Sequence, residues 1–252
     1  MLPNKLKPDG LYKLIRVGKD NDGGYLVCEE SVINSKVLIS FGISDDFSFE
    51  EHFQKLNNIN ILAYDHTVNL NFFLKQFLHS LIKLNFKIFF KQLINWINFK
   101  KFFNKSKNKL FLNKIGKGGD AFNDYMPIDN IIESSANNQN FFFKIDIEGS
   151  EYRILDDLIK FMDRIEGLAI EFHNVDINMD RVINFIEKFN LKLVHIHANN
   201  WSTCGLNNIP SSIECSFSKK PVLLKNDLNF PHELDQNNNP NNDEIKLIFS
   251  DQ

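Results

Sequence analysis

Cysteine is scarce and unpaired. The three thiols, Cys28, Cys204 and Cys215, lie far apart, are odd in number and show no C-x-x-C spacing. That excludes a disulfide scaffold and a thiolate zinc finger and implies a reducing compartment. The start, Met1-Leu-Pro-Asn-Lys-Leu-Lys-Pro, lacks the apolar stretch of a secretory leader, so a cytoplasmic location is expected. A net charge of −3 lacks the basic excess of a nucleic-acid binder. Acidic residues are missing altogether between Asp65 and Asp120, while Lys75, Lys83, Lys87, Lys91, Lys100, Lys101, Lys105, Lys107, Lys109 and Lys114 accumulate there. No apolar run there escapes lysine for long enough to cross a bilayer. At 252 residues and 43% hydrophobic content the chain suits one α/β domain with insertions.

What is present centres on 141–152, Phe-Phe-Phe-Lys-Ile-Asp-Ile-Glu-Gly-Ser-Glu-Tyr. A short apolar run that stops at carboxylates and a glycine, with helical spacing after it, predicts a buried parallel strand feeding a crossover helix. Asp146 and Glu148 then sit at the carboxyl edge of the sheet, where open α/β folds bind ligands. The bland alternative is that they cap the next helix.

Upstream, 11–17 and 25–28 are β-prone and flank a glycine-rich turn with Asp22-Gly23, which predicts an N-terminal hairpin within 1–36. Its expected role is to cover a sheet edge or face, with Arg16 placed to hold a carboxylate or phosphate. A strand over 37–43 ends in Ser40-Phe-Gly-Ile-Ser-Asp-Asp46, a helix follows from Ser48, and a strand over 59–64 ends on Asp65. That order is the nucleotide-binding half of a Rossmann-type unit, with Asp65 placed to accept ribose hydroxyls. Glycine is thin where a dinucleotide site needs it. Gly42 stands alone and is followed by Asp45 and Asp46, which would repel a diphosphate. An ammonium and a sulfonium suit that turn better, so S-adenosylmethionine is favoured over NAD.

The lysine-rich stretch reads as a basic, amphipathic helical insertion at 70–106, broken near Asn85. Lys83 and Lys87 are candidate contacts for an anionic acceptor. A solvated lysine stripe, an anionic membrane surface and a homodimer interface are the alternatives. Beyond it, Asp120 and Phe122 are placed to meet an adenine, although Asp120 equally suits a turn. Further strands are expected at 166–171, 191–197 and 212–218, the last antiparallel, and a final one at 244–249. The Asn-rich 226–242 reads as mobile. Three strand ends carry Asp146/Glu148, Glu171/His173 and His195/His197/Asn199, and residues two apart share a face. Asp146, His173 and His197 are the catalytic candidates, while Glu148, Asn199 and Trp201 are acceptor candidates. Asp146, Glu171 and His197 are a candidate Mg²⁺ or Mn²⁺ set.

Lys144-Ile-Asp-Ile-Glu-Gly-Ser-Glu151 resembles the signature of the FkbM-type S-adenosylmethionine-dependent O-methyltransferases. The segments from Ser40 to Glu50 and from Arg16 to Tyr25 are similar to a methyltransferase-like branch of that group. This resemblance, spanning 16–218 without the insertion, implies a Rossmann-like class I methyltransferase fold. Its sheet would be mostly parallel and seven-stranded, with one antiparallel strand. It also implies cofactor contacts at Gly42, Ser44 and Asp65 and a catalytic Asp146. The Lys-, Asn-, Ile- and Phe-rich composition is similar to that of capsule and lipooligosaccharide gene products. A nucleotide-linked sugar, such as a heptose, is the acceptor expected on that ground. The rival readings are a non-catalytic membrane-surface or scaffolding module and an NAD-dependent sugar oxidoreductase.

Overall fold

The computed structural model describes residues 1–117, 125–134, 139–226 and 228–250. Two short strands, β1 (Leu2–Pro3) and β2 (Leu11–Tyr12), precede the antiparallel hairpin β3 (Leu14–Val17) and β4 (Tyr25–Cys28). Then come α1 (Glu29–Asn34), β5 (Val37–Phe41), α2 (Ser48–Leu56), β6 (Asn60–Tyr64), α3 (Leu70–Ile82), α4 (Phe86–Phe103) and β7 (Asn108–Phe111). The short parallel pair β8 (Lys114–Ile115) and β9 (Tyr125–Met126) leads to α5 (Ile128–Ser134) and β10 (Phe141–Ile145). The second half alternates α6 (Leu155–Lys160), β11 (Ile165–His173), α7 (Val175–Lys188) and β12 (Lys192–Ala198). It closes with β13 (Ser212–Ser218), β14 (Leu223–Lys225) and β15 (Phe249–Ser250).

Seven strands form the central sheet in the order β12-β13-β11-β10-β5-β6-β7, and only β13 runs antiparallel to its neighbours. This is the Rossmann-like class I methyltransferase topology. The strand order reverses between β5 and β10, so the turns after these two strands flank the topological switch point.

Alternation along each strand builds two cores. Val37, Ile39 and Phe41 of β5 and Phe141, Phe143 and Ile145 of β10 face one core with α5, α6 and α7. Leu38 and Phe142 face the other, made by α2, the hairpin and the inner faces of α3 and α4. The same parity puts Ser40, Lys144, Glu171, His173, Glu214, His195 and His197 on the second face, as a polar row at one end of the sheet. All of these except His173 are buried.

The insertion is two helices, each opened by an asparagine whose side chain accepts a backbone N–H: Asn69 from Phe72 and Asn85 from Ile88. A polar side chain that offers the backbone this alternative acts as an N-cap and ends the preceding element, so the break falls at Asn85. One expectation is corrected. At the chain's end, the predicted strand over 244–249 is reduced to Phe249–Ser250, paired with β1 outside the main sheet. Within the Asn-rich stretch, Asn238 and Asn239 are buried and find partners. Asn238 donates to Glu214 Oε1 at 2.6 Å, and the backbone N–H of Asn239 donates to Asn200 Oδ1 at 2.6 Å.

Candidate active site

A cavity of about 660 Å³ opens at the switch point, lined by the turns after β5, β6 and β10, by α2 and by the hairpin turn. Gly42 holds φ at +72°, and a Cβ there would meet the Asp146 carbonyl oxygen at 1.6 Å, so only glycine lets the two turns approach. Ser44, at φ 47°, continues the turn along the cavity wall.

Asp65 is at the wall as expected, but its carboxylate is already engaged. The Ile43 and Ser44 amides donate to Oδ2 at 3.0 and 2.9 Å, and Thr67 donates to Oδ1 through its amide at 2.7 Å and its hydroxyl at 2.6 Å. A carboxylate offers about four acceptor positions, so Asp65 shapes the Gly42 turn before it can serve a ribose.

Asp146 and Glu148 of the β10 motif line the cavity, whereas Glu171 and His173 are not in its wall. Glu151, fully buried, accepts the Gly149 N–H at 2.8 Å and the His173 N–H at 2.7 Å, which ties the loop after β10 to the end of β11. Tyr152 donates its hydroxyl to the His173 carbonyl at 2.8 Å. Held this way, the His173 ring sits among carboxylates. Its Nε2 is 3.9 Å from Asp146 Oδ1, 3.5 Å from Glu148 Oε2 and 3.5 Å from Glu171 Oε1, and its Nδ1 is 3.4 Å from Glu151 Oε1. Burial alone would lower its pKa, but Glu151, Glu171 and Asp146 outweigh it and raise the value to about 9. At neutral pH the ring is therefore an imidazolium, a donor rather than a base. Glu171 is pushed well above the usual carboxylate range by burial, then by Asp146 and Glu214.

Lys144 and Glu50 were not singled out by sequence reasoning, although Lys144 stands inside the motif. Its Nζ donates to the Gly42 carbonyl and lies 3.4 Å from Asp146 Oδ2. Burial would lower the Lys144 pKa, but Asp146, Glu50 and Glu171 outweigh it, so the ammonium persists. Glu50 lines the cavity, and its buried Oε2 accepts no hydrogen bond among the described residues. Burial raises its pKa against the pull of Lys144. A lysine interrupting an apolar strand was the available signal. A glutamate on an amphipathic helix offered none.

Several candidates lie elsewhere. Arg16 is spent on its own turn, donating to the Lys19 and Asn21 carbonyls at 3.3 and 2.6 Å, and does not line the cavity. The hairpin's contribution is instead Asp22 and Lys19. His197 is buried between Glu214, 3.5 Å away, and Glu244, 3.0 Å away, while His195 is held by Asp235 at 2.8 Å. Both histidines are roofed by the C-terminal segment, so His197 leaves the catalytic and metal sets. His173 takes its place beside Asp146 and Glu171, each offering one atom within 4.8 Å of the others. Asn199 donates to Glu171 Oε1 at 2.8 Å and so orients that carboxylate from below. Trp201 is exposed and off the cavity wall, as are Lys83 and Lys87 on the insertion. Glu148 does line the cavity. Asp120 and Phe122 lie outside the described residues.

No protein-family model matches the chain, and no curated protein is significantly similar to it. Solved structures superpose on it at low identity. An rRNA methylase from Streptococcus thermophilus is 12% identical, covers 76% of this chain and 90% of its own, and has a TM-score of 0.40. Precorrin-6y C5,15-methyltransferase from Geobacter metallireducens is 12% identical, covers 76% and 86%, and has a TM-score of 0.39. These superpositions add nothing to the strand order itself.

The cavity wall is acidic. Among the described residues, seven carboxylates line it (Asp22, Asp45, Asp46, Glu50, Asp65, Asp146 and Glu148) against three lysines. Two of those lysines are already paired, Lys19 with Asp46 at 2.6 Å and Lys144 with Asp146.

Proposed function

We propose that this chain is an S-adenosylmethionine-dependent O-methyltransferase whose acceptor is a sugar hydroxyl. The carrying observation is the acidic cavity at the switch point. An ammonium and a sulfonium are attracted there, and the orphaned Glu50 oxygen gains a cationic or N–H partner. A dinucleotide's diphosphate is repelled. With two of the three wall lysines already paired, the cavity also favours a neutral polyol hydroxyl, with any nucleotide diphosphate kept outside.

Bound in the acidic cavity, S-adenosylmethionine would supply an electrophilic methyl group to the acceptor oxygen and leave as a neutral thioether. Asp146 would take the hydroxyl proton. His173, as imidazolium, donates to the acceptor oxygen's second lone pair and fixes its direction. Lys144 Nζ, 3.4 Å from Asp146 Oδ2, orients that carboxylate. Positioning of this kind is worth roughly 7–11 kcal/mol in the best cases.

Calorimetry with S-adenosylmethionine and with NAD, followed by labelled methyl transfer to a sugar panel, tests the reading. Asp146→Asn should keep cofactor affinity and lower turnover at least tenfold. Tighter binding of NAD, or wild-type turnover in Asp146→Asn, would overturn it.

A second reading rests on Asp146, Glu171 and His173. Two carboxylates and an imidazole are a hard-cation donor set, and their separations of 3.5 and 3.9 Å exceed the roughly 3.0 Å set by a right angle at metal–ligand distances of about 2.1 Å, so the side chains would have to draw closer around an ion. Bound there, Mg²⁺ or Mn²⁺ would acidify the acceptor hydroxyl. Titration of the protein with Mn²⁺, read by spin resonance as well as by activity after EDTA, decides between the two. Full activity in chelator with no bound Mn²⁺ leaves Asp146 and His173 alone.

A further inference from the structure

The insertion's outer surface is unlike the rest of the molecule. Of the twenty-three large hydrophobic side chains exposed among the described residues, eleven fall between Leu70 and Ile97. On α3, Leu70, Leu74, Leu78 and Ile82 form one stripe at four-residue spacing, each between 50% and 72% exposed. On α4, Phe86, Phe90, Ile94 and Ile97 form another, each between 50% and 59% exposed. A cationic row flanks each stripe. Lys75, His79 and Lys83 each follow an apolar position by one residue, as do Lys87 and Lys91, and one residue is about 100° around a helix.

Lys75, Lys83, Lys87, Lys91, Lys100 and Lys101 enter no ion pair among the described residues. They have no acidic neighbour in sequence either. An apolar stripe bordered by unneutralised lysines is the surface of a helix that lies in a membrane interface. No described helix is long and apolar enough to cross a bilayer.

The inner faces leave the outer ones free. Phe73, Phe99 and Phe102 are buried in the core, so the hairpin is fastened to the domain and presents its remaining faces outward. We propose that the α3–α4 hairpin docks in plane on a bilayer containing anionic lipid, with its apolar stripes among the acyl chains and its lysines at the headgroups. Anionic headgroups supply the negative charge that the segment lacks. A second copy of the chain fits less well, because apposing two such faces brings lysine against lysine. Acceptor binding fits less well too, because the stripes are off the cavity wall. The proposal stands independently of the methyl-transfer reading.

The test is co-sedimentation of the full chain with phosphatidylcholine vesicles, with and without phosphatidylglycerol. The protein should pellet with the anionic vesicles, and added salt should release it. Leu78→Ser combined with Phe90→Ser, and separately Lys83→Gln, Lys87→Gln and Lys91→Gln together, should each weaken partitioning about tenfold while leaving the thermal midpoint unchanged. Wild-type protein that stays in the supernatant with anionic vesicles overturns the proposal, as does wild-type pelleting by both variants. A concentration-dependent dimer that Leu78→Ser and Phe90→Ser dissolve, without vesicle binding, would assign the surface to a second copy instead.

Discussion

Asp65→Asn should be a stability variant before it is a binding variant. An amide keeps one acceptor oxygen, so either the Ile43 and Ser44 amides or the Thr67 donors lose their partner. An unsatisfied buried donor costs about 1–3 kcal/mol, which urea unfolding will read directly. Reduced cofactor affinity at unchanged stability would show a direct ribose contact instead. His197 carries a pH signature. Burial would lower its pKa, but Glu214 and Glu244 outweigh burial and hold it at about 10. With the folded value raised above the ordinary 6.5, its stabilisation is complete below about pH 6.5 and is lost as pH rises through 10. The wild-type urea midpoint should fall across that window more steeply than that of His197→Gln. Sequence spacing placed Asp146, Glu171 and His173 on one face, because period-2 alternation is local. It could not separate His173 from His197. What distinguishes them is the roof of Asp235 and Glu244, contributed by residues some forty positions away from the strand they cover.

At the scale of elements, the insertion does more than ride on the sheet. Phe99 is 2% exposed and packs against Phe47, Phe73 and Phe103, so Phe99→Ala should cost about 3–5 kcal/mol. A calorimetric midpoint unchanged by that substitution would show that the helices are detachable. The two helices and their break were legible because amphipathic spacing and an Asn cap are short-range signals. The buried pairings of the Asn-rich stretch were not legible for the converse reason: Asn238 and Asn239 meet Glu214 and Asn200, and such pairing is written nowhere in the local pattern. The hairpin β3–β4 was likewise evident from Asp22-Gly23, whereas its bearing on the cavity was not. Lys19 and Asp22 reach the wall because the turn docks on α2, where the Lys19 N–H donates to Ser48 Oγ at 3.2 Å.

Across the whole molecule, the central sheet divides labour between its faces. One face is covered by the larger hydrophobic core, and the other carries the polar row that ends in the cavity. The Gly42 turn is where the cleft meets the insertion. Gln76 of α3 donates to Asp45 Oδ2 at 3.0 Å, and Asn95 of α4 donates to the Asp45 carbonyl at 2.8 Å. Those two amides make a single loop the shared boundary of two surfaces, one turned to the ligand and one to whatever the helices rest on. Any shift in that loop's equilibrium position that favours a seated hairpin and alters affinity in the cleft must act in both directions by the same factor. The molecule would then hold its surface more firmly when loaded than when empty, or less firmly. The sign is measurable by repeating the vesicle experiment at saturating cofactor.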